Sequence, residues 1–321
     1  MSSFVRLCAS TASRLDLSDP PLGIGNGGVT LARASTSLFK SPEGEARYYA
    51  AYDKVLALWD VPYECLRVAT QFGATHVIAS GPRAGPPLVL LHAMAISSTM
   101  WYPNIAELSR DFRTFAVDVI GDAGKSIPSH RPKNRREHAQ WLLDVFNELH
   151  IEQADVAGLS YGGFLTLNFA LQAPDRVKRI VLLAPAGCFV RFRLAFWLRM
   201  ASGMFLPPRA AFKSLIPWIS ARKDAVESPV FEQMLVNWLF GRAHLGVWPR
   251  VFTDEELRRL SVPTLLLIGD REVIYNPRAA IGRATRLIPQ IETAIIPNAS
   301  HFLTFDQSEA VDARMLSFLK Q

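Results

Sequence analysis

Gly158-Leu159-Ser160-Tyr161-Gly162 sets a serine between two glycines, directly after a short apolar run and before a helical pattern at Gly163-Phe164-Leu165. In a strand–turn–helix setting this G-x-S-x-G spacing lifts the serine oxygen to the C-terminal end of the strand. Gly158 and Gly162 permit close chain approach and backbone angles that a side chain would block. Ser160 is therefore the candidate nucleophile. The backbone N–H of Tyr161, at the positive end of the following helix, is a candidate oxyanion donor. The bland alternative is a structural turn. Five residues of this pattern occur often by chance, and the setting is what favours chemistry.

A serine hydroxyl needs a neighbouring base near neutral pH. Of the seven histidines, His301 is the best placed: it ends the loop Pro297-Asn298-Ala299-Ser300-His301, between the last apolar strand and the final helix. His76, His130, His138, His150 and His244 have no such placement and read as surface or packing residues. The acid that orients the histidine is expected after the apolar run Leu265–Ile268, where the loop offers both Asp270 and Glu272. Spacing alone leaves those two open. A second oxyanion donor is expected from the loop after Leu88–Leu91, which begins His92-Ala93-Met94. Met94 would donate through its backbone, with His92 fixing the loop.

The elements that must hold these groups are legible as alternation. Leu88–Leu91, Phe115–Val117, Val156–Ala157, Ile180–Leu183, Leu265–Ile268 and Ile295–Ile296 are short, branched and non-alternating, as expected for strands covered on both faces. Between them His138–His150 reads as an amphipathic helix, and further helices start near Tyr161 and Asn276. The fold class expected is α/β, a mostly parallel sheet with helices on both faces. From 186 to 260 there is no clear strand but there are helical stripes, Phe231/Met234/Leu235/Trp238/Leu239 and Phe192/Phe196/Met200. That stretch reads as a helical cap, and its stripes as packing against the main domain with part lining an apolar pocket. The expected division is a flexible extension over 1–45, a core over 46–185 and 261–321, and the cap between.

Composition is ordinary for a globular chain of 321 residues, 49% hydrophobic and 20% charged. The formal charge of +6 is scattered, with arginine modestly concentrated between Arg191 and Arg250, and no block is dense enough for nucleic acid. Cys8, Cys65 and Cys188 are odd in number and widely spaced, which suits neither a disulfide framework nor a zinc site. A reducing cytoplasm is the simplest compartment. No segment reads as transmembrane, because Arg191, Arg193 and Arg199 interrupt the longest apolar stretch. Neither cofactor nor metal is expected. The expected partner is a small-molecule ester, and a homodimer is left open.

Together these pieces resemble the α/β-hydrolase superfamily, from about Ala50 to the C-terminus, including its chain order of nucleophile, acid and histidine. More narrowly the chain is similar to bacterial carboxylesterases of the naproxen-ester-cleaving type (carboxylesterase NP). The similarity is carried by Phe72–Pro82, Ser97–Ala106, Trp141–Phe146, Val251–Arg258 and Glu272-Val273-Ile274-Tyr275. The resemblance implies Glu272 as the acid, a helical cap, and activity on carboxylic esters through an acyl-enzyme on Ser160. Lactone, thioester, carbon–carbon and peroxyacid chemistry are alternatives on the same scaffold, and a weakly catalytic binder of apolar ligands is a third. The chain departs from family usage in having Ala93 and Ser300 where glycines are usual. A methyl at position 93 is expected to narrow the pocket or shift Met94, and a side chain at position 300 to restrict the turn that presents His301.

Overall fold

The computed structural model describes residues 37–202, 205–242 and 246–321. Among them nine strands form one sheet: β1 (Tyr63–Thr70), β2 (Gly73–Ser80), β3 (Pro87–Leu91), β4 (Arg113–Val117), β5 (Ile127–Pro128), β6 (Ala154–Leu159), β7 (Val177–Leu183), β8 (Thr264–Gly269) and β9 (Ile291–Ile296). The order is β1-β2-β4-β3-β6-β7-β8-β9, with β5 paired to β2. From β4 through β9 along that order every pairing is parallel, while β2 pairs antiparallel with β1, β4 and β5. Parallel neighbours require crossover helices, and these cover both faces. Every residue of β6 and β8 is accordingly buried.

Each apolar run read as a strand lies inside one of the parallel strands. β9 departs from the two-sided burial expected of it: it is an edge strand, and Ile295 is exposed. The hairpin β1–β2 has no clear apolar signature, because its side chains are mixed; Arg67, for example, stands opposite His76. The helix expected over His138–His150 runs Arg135–Glu148, capped by Asn134, whose side chain accepts the Glu137 N–H. Helices Tyr161–Gln172 and Pro277–Leu287 start where expected, the latter capped by Asn276.

Between β7 and β8 the chain forms helices Leu194–Ser202, Pro208–Ile219, Pro229–Phe240 and Asp254–Arg258. Of the first stripe, Phe231 is buried and Met234, Leu235, Trp238 and Leu239 are half-buried. Of the second, Phe192 and Phe196 pack with ring centroids 5.0 Å apart, but Met200 is exposed and does not belong to an inner face.

The N-terminal boundary needs correction. The expected extension ran to residue 45, yet residues 37–45 are docked. Phe39 is buried and bridges to Gly241; Lys40 N–H donates to Phe240 O at 2.8 Å, and Arg242 N–H to Leu38 O at 2.8 Å. Ser41 then caps a helix, Pro42–Leu56, by accepting the Gly44 N–H. Residues 1–36 of the expected extension lie outside the described residues.

Candidate active site

Ser160 stands at the junction of β6 and the helix Tyr161–Gln172, with φ 55° and ψ −110°. A serine with positive φ carries strain, and such strain persists only where the surroundings hold it. Here they do. Ser160 N–H donates to Leu183 O at 2.9 Å, and the Ser160 carbonyl accepts the N–H groups of Phe164 and Ala186, each at 3.0 Å. The flanking glycines fill close approaches. A Cβ on Gly158 would lie 2.3 Å from the Gly162 carbonyl, and one on Gly162 would lie 2.2 Å from Leu91 O. The sharp turn is thus pressed between β3 and its own helix.

His301 Nε2 lies 2.8 Å from Ser160 Oγ, and His301 Nδ1 lies 2.8 Å from Glu272 Oε2. The other Glu272 oxygen accepts the Ile274 N–H at 2.7 Å. Serine, histidine and glutamate are all buried. A carboxylate beside Nδ1 keeps the proton on that nitrogen, so the Nε2 lone pair faces the serine oxygen. Such an array can remove the hydroxyl proton and stabilise the imidazolium that results. Asp270 stays outside it: its Oδ1 accepts the Ala299 N–H at 3.2 Å.

The loop after β3 is fixed from beneath. His92 Nε2 accepts the Val119 N–H at 2.9 Å, so Nδ1 carries the ring proton and donates to Ala93 O at 2.8 Å. The Ala95 N–H donates to the Asp122 carboxylate, whose oxygens lie at 3.2 and 3.1 Å. Burial pushes that carboxyl above the usual range. Asp118 Oδ1 accepts the Ser98 N–H at 2.8 Å. Among the described residues the N–H groups of Met94 and Tyr161 donate to no protein group. Two donors at a strand end and a helix start can receive a developing oxyanion.

Of the two departures from family usage, the one at position 300 behaves differently from expectation. Neither Ala93 nor Ser300 has a positive φ; the left-handed residues of these loops are Ala95 (64°) and Asn298 (56°). Ser300 therefore imposes no backbone strain. Its hydroxyl instead donates to Arg271 O at 3.0 Å, tying the histidine loop to the acid loop.

Three supporting residues escaped the sequence reading. Gln233 is buried in the helix Pro229–Phe240; its Nε2 donates to Ser97 Oγ at 2.9 Å, and its Oε1 accepts from Thr99 Oγ1 at 3.1 Å. Asn237 donates to Ala95 O at 3.3 Å. Asp306 accepts from Ser300 N–H at 2.7 Å and from Ser220 Oγ at 2.6 Å. The same helix reaches the histidine loop through Phe231, whose ring lies 5.0 Å from that of Phe302. A signal for the first two existed: Gln233 and Asn237 are an i, i+4 polar pair on a helix whose other residues, Glu232 apart, are apolar. Asp306 offered none.

The α/β hydrolase fold family profile matches residues 86–220. The chain is 42% identical over 295 residues to the uncharacterized carboxylesterase nap of Bacillus subtilis, covering 90% of this chain and 97% of that one. It is also 42% identical over 287 residues to carboxylesterase YbfK of the same organism, covering 88% and 96%. The crystal structure of naproxen esterase (carboxylesterase NP) from Bacillus subtilis superposes with a TM-score of 0.82, covering 87% of this chain and 99% of that one.

Proposed function

We propose for this chain, which belongs to the α/β-hydrolase fold family and to its carboxylesterase branch, the hydrolysis of carboxylic esters through an acyl-enzyme on Ser160. The observation that carries this reading is the unbroken line from Ser160 Oγ through His301 to Glu272, each step 2.8 Å long. His301 takes the Ser160 proton as the oxygen attacks the ester carbonyl, while the N–H groups of Met94 and Tyr161 receive the oxyanion. The tetrahedral intermediate collapses, and the alcohol leaves with the proton from His301. Water, losing a proton to the same nitrogen, then attacks the acyl carbonyl and releases the acid and Ser160. Glu272 holds the imidazole in orientation and balances its charge in both halves.

Residues 186–260 act as the cap in this reading. The Phe231 and Phe302 rings beside His301 favour an apolar acyl or aryl group over a charged one. The substrate is a small molecule and the compartment the cytoplasm. Labelling with a fluorophosphonate probe tests the nucleophile. Wild type should be labelled and should turn over p-nitrophenyl esters; Ser160→Ala should do neither while keeping its melting temperature. Labelling of both proteins at another serine would overturn the assignment.

A further inference from the structure

The first cap helix, Leu194–Ser202, is turned outward. Of the ten large apolar side chains exposed among the described residues, seven belong to the cap. Leu194 is 71% exposed, Leu198 61% and Phe205 87%. Trp197 and Trp248, both exposed, stand with ring centroids 6.2 Å apart and extend the patch sideways. Leu194, Trp197 and Leu198, spaced i, i+3 and i+4, share one face and with Trp248 form a contiguous apolar patch, which on a water-facing helix marks a contact with something else. Burial inside this chain does not explain it, since only Phe196 and Arg199 of residues 194–201 are half-buried.

Charge decides what that contact is. Exposed Arg191 and Arg193 precede the helix, and exposed Arg209 and Lys213 follow it. No aspartate or glutamate occurs between Asp175 and Asp224. Four exposed cations thus flank this apolar helix, with no acid in the same stretch of chain. Two copies meeting through this patch about a twofold axis would set these cations against one another with no acid from that stretch to answer them. A nucleic-acid backbone would satisfy the cations but leave the leucines and Phe205 without a partner. A helix bearing leucine, tryptophan and phenylalanine, flanked by arginine and lysine, suits the boundary of a bilayer, with apolar groups among the acyl chains and cations at the headgroups. No helix of the described residues is long and apolar enough to cross a membrane, so the contact is with the surface.

We propose that the cap docks on an anionic lipid surface through Leu194, Leu198, Phe205 and the tryptophan pair, with Arg191, Arg193, Arg209 and Lys213 at the phosphates. The test is co-sedimentation of the full chain with vesicles of phosphatidylcholine alone and with vesicles that also contain phosphatidylserine. Binding is expected to the second kind and to fall steeply with added salt. Arg191→Gln with Arg193→Gln should weaken partitioning by roughly tenfold or more, given the usual attraction of each basic residue to an anionic surface. Leu194→Gln with Leu198→Gln should also abolish it. Both double variants alter exposed side chains, so melting temperature and turnover of a water-soluble ester should match wild type. Failure to bind the anionic vesicles, or equal binding to both kinds, would overturn the proposal. So would light scattering that shows a dimer which the leucine variant dissociates.

Discussion

At the scale of single residues, the geometry separates two carboxylates that lie two positions apart. Glu272 reaches His301 Nδ1, whereas Asp270 is spent on the Ala299 N–H. Loss of the Glu272 charge would leave Ser160 and His301 in place but free the ring to turn, with imidazolium unbalanced. Amide replacement of the equivalent acid in another serine hydrolase costs on the order of 10⁴ in turnover. Glu272→Gln is expected to lower kcat by roughly a hundredfold or more. Asp270→Asn should cost about tenfold or less, because its oxygen can still accept one backbone N–H. Assayed at one pH on one ester, the reverse ranking in folded proteins would refute the role given to Glu272. Position 300 yields a second prediction. Its residue needs no left-handed backbone, so Ser300→Gly would relieve no strain and would delete the bond to Arg271 O. It should lower stability by about 1 kcal/mol without raising kcat; a faster enzyme would show that the side chain does hinder the turn.

At the scale of elements, the helix Pro229–Phe240 ties together both loops that meet at Ser160. Gln233 holds the loop after β3, and Phe231 packs on Phe302 beside His301. The helix is braced from outside by Pro42–Leu56 and by the chain at Phe39, whose ring centroid lies 5.0 Å from that of Tyr48; Lys54 also pairs with Glu232. Phe39→Ala should therefore destabilise the protein by about 3 kcal/mol, the usual cost of emptying a buried aromatic site. A urea melt measures this, and a loss under about 1 kcal/mol would mean that the segment contributes little. A truncation ending before Ser37 keeps every one of these contacts. Composition alone placed the boundary too late, since a lone phenylalanine among serines and a lysine carries no periodic signal. The parallel strands were legible because two-sided burial demands unbroken branched apolar runs. That Ser160 and His301 come together was legible because the chemistry proposed for them constrains their neighbours and their order. The β1–β2 hairpin was not, its polar side chains being paired across strands that only the fold brings together. Spacing left Asp270 and Glu272 open because the choice depends on which backbone position faces Nδ1, a property of three-dimensional reach.

For the molecule as a whole, three buried groups tilt the pH profile, His138 in one direction and Asp155 and Asp312 in the other. His138 is buried, and burial lowers its pKa from 6.5 to about 4, with Glu137 opposing weakly. Being depressed, it contributes stability that is full above pH 6.5 and lost as pH falls toward 4. Asp312 is raised from 3.8 to about 7, chiefly by burial; a hydrogen bond from Asn104 opposes the rise and Glu107 adds to it. Being raised, it contributes stability that is full below 3.8 and lost as pH climbs to about 7. Asp155, raised from 3.8 to about 6 by burial against the pull of Arg179, slopes the same way as Asp312, so between about pH 4 and 6 the three together leave wild type losing stability as pH rises. Asp312→Asn removes one of the two carboxyls that oppose His138. It also offers a donor to Asn104 Oδ1, a buried oxygen with no partner. The variant should match wild type or fall slightly below it near pH 4, and exceed it by roughly 1–3 kcal/mol above about pH 7, where the gain levels off. Between about pH 4 and 6 the remaining His138 and Asp155 slopes then offset, so its own stability should change little there on their account. Urea melts at about pH 4.5, 6 and 7.5 measure both effects. A gain that is the same at all three pH values would show that Asp312 acts through packing rather than through its proton.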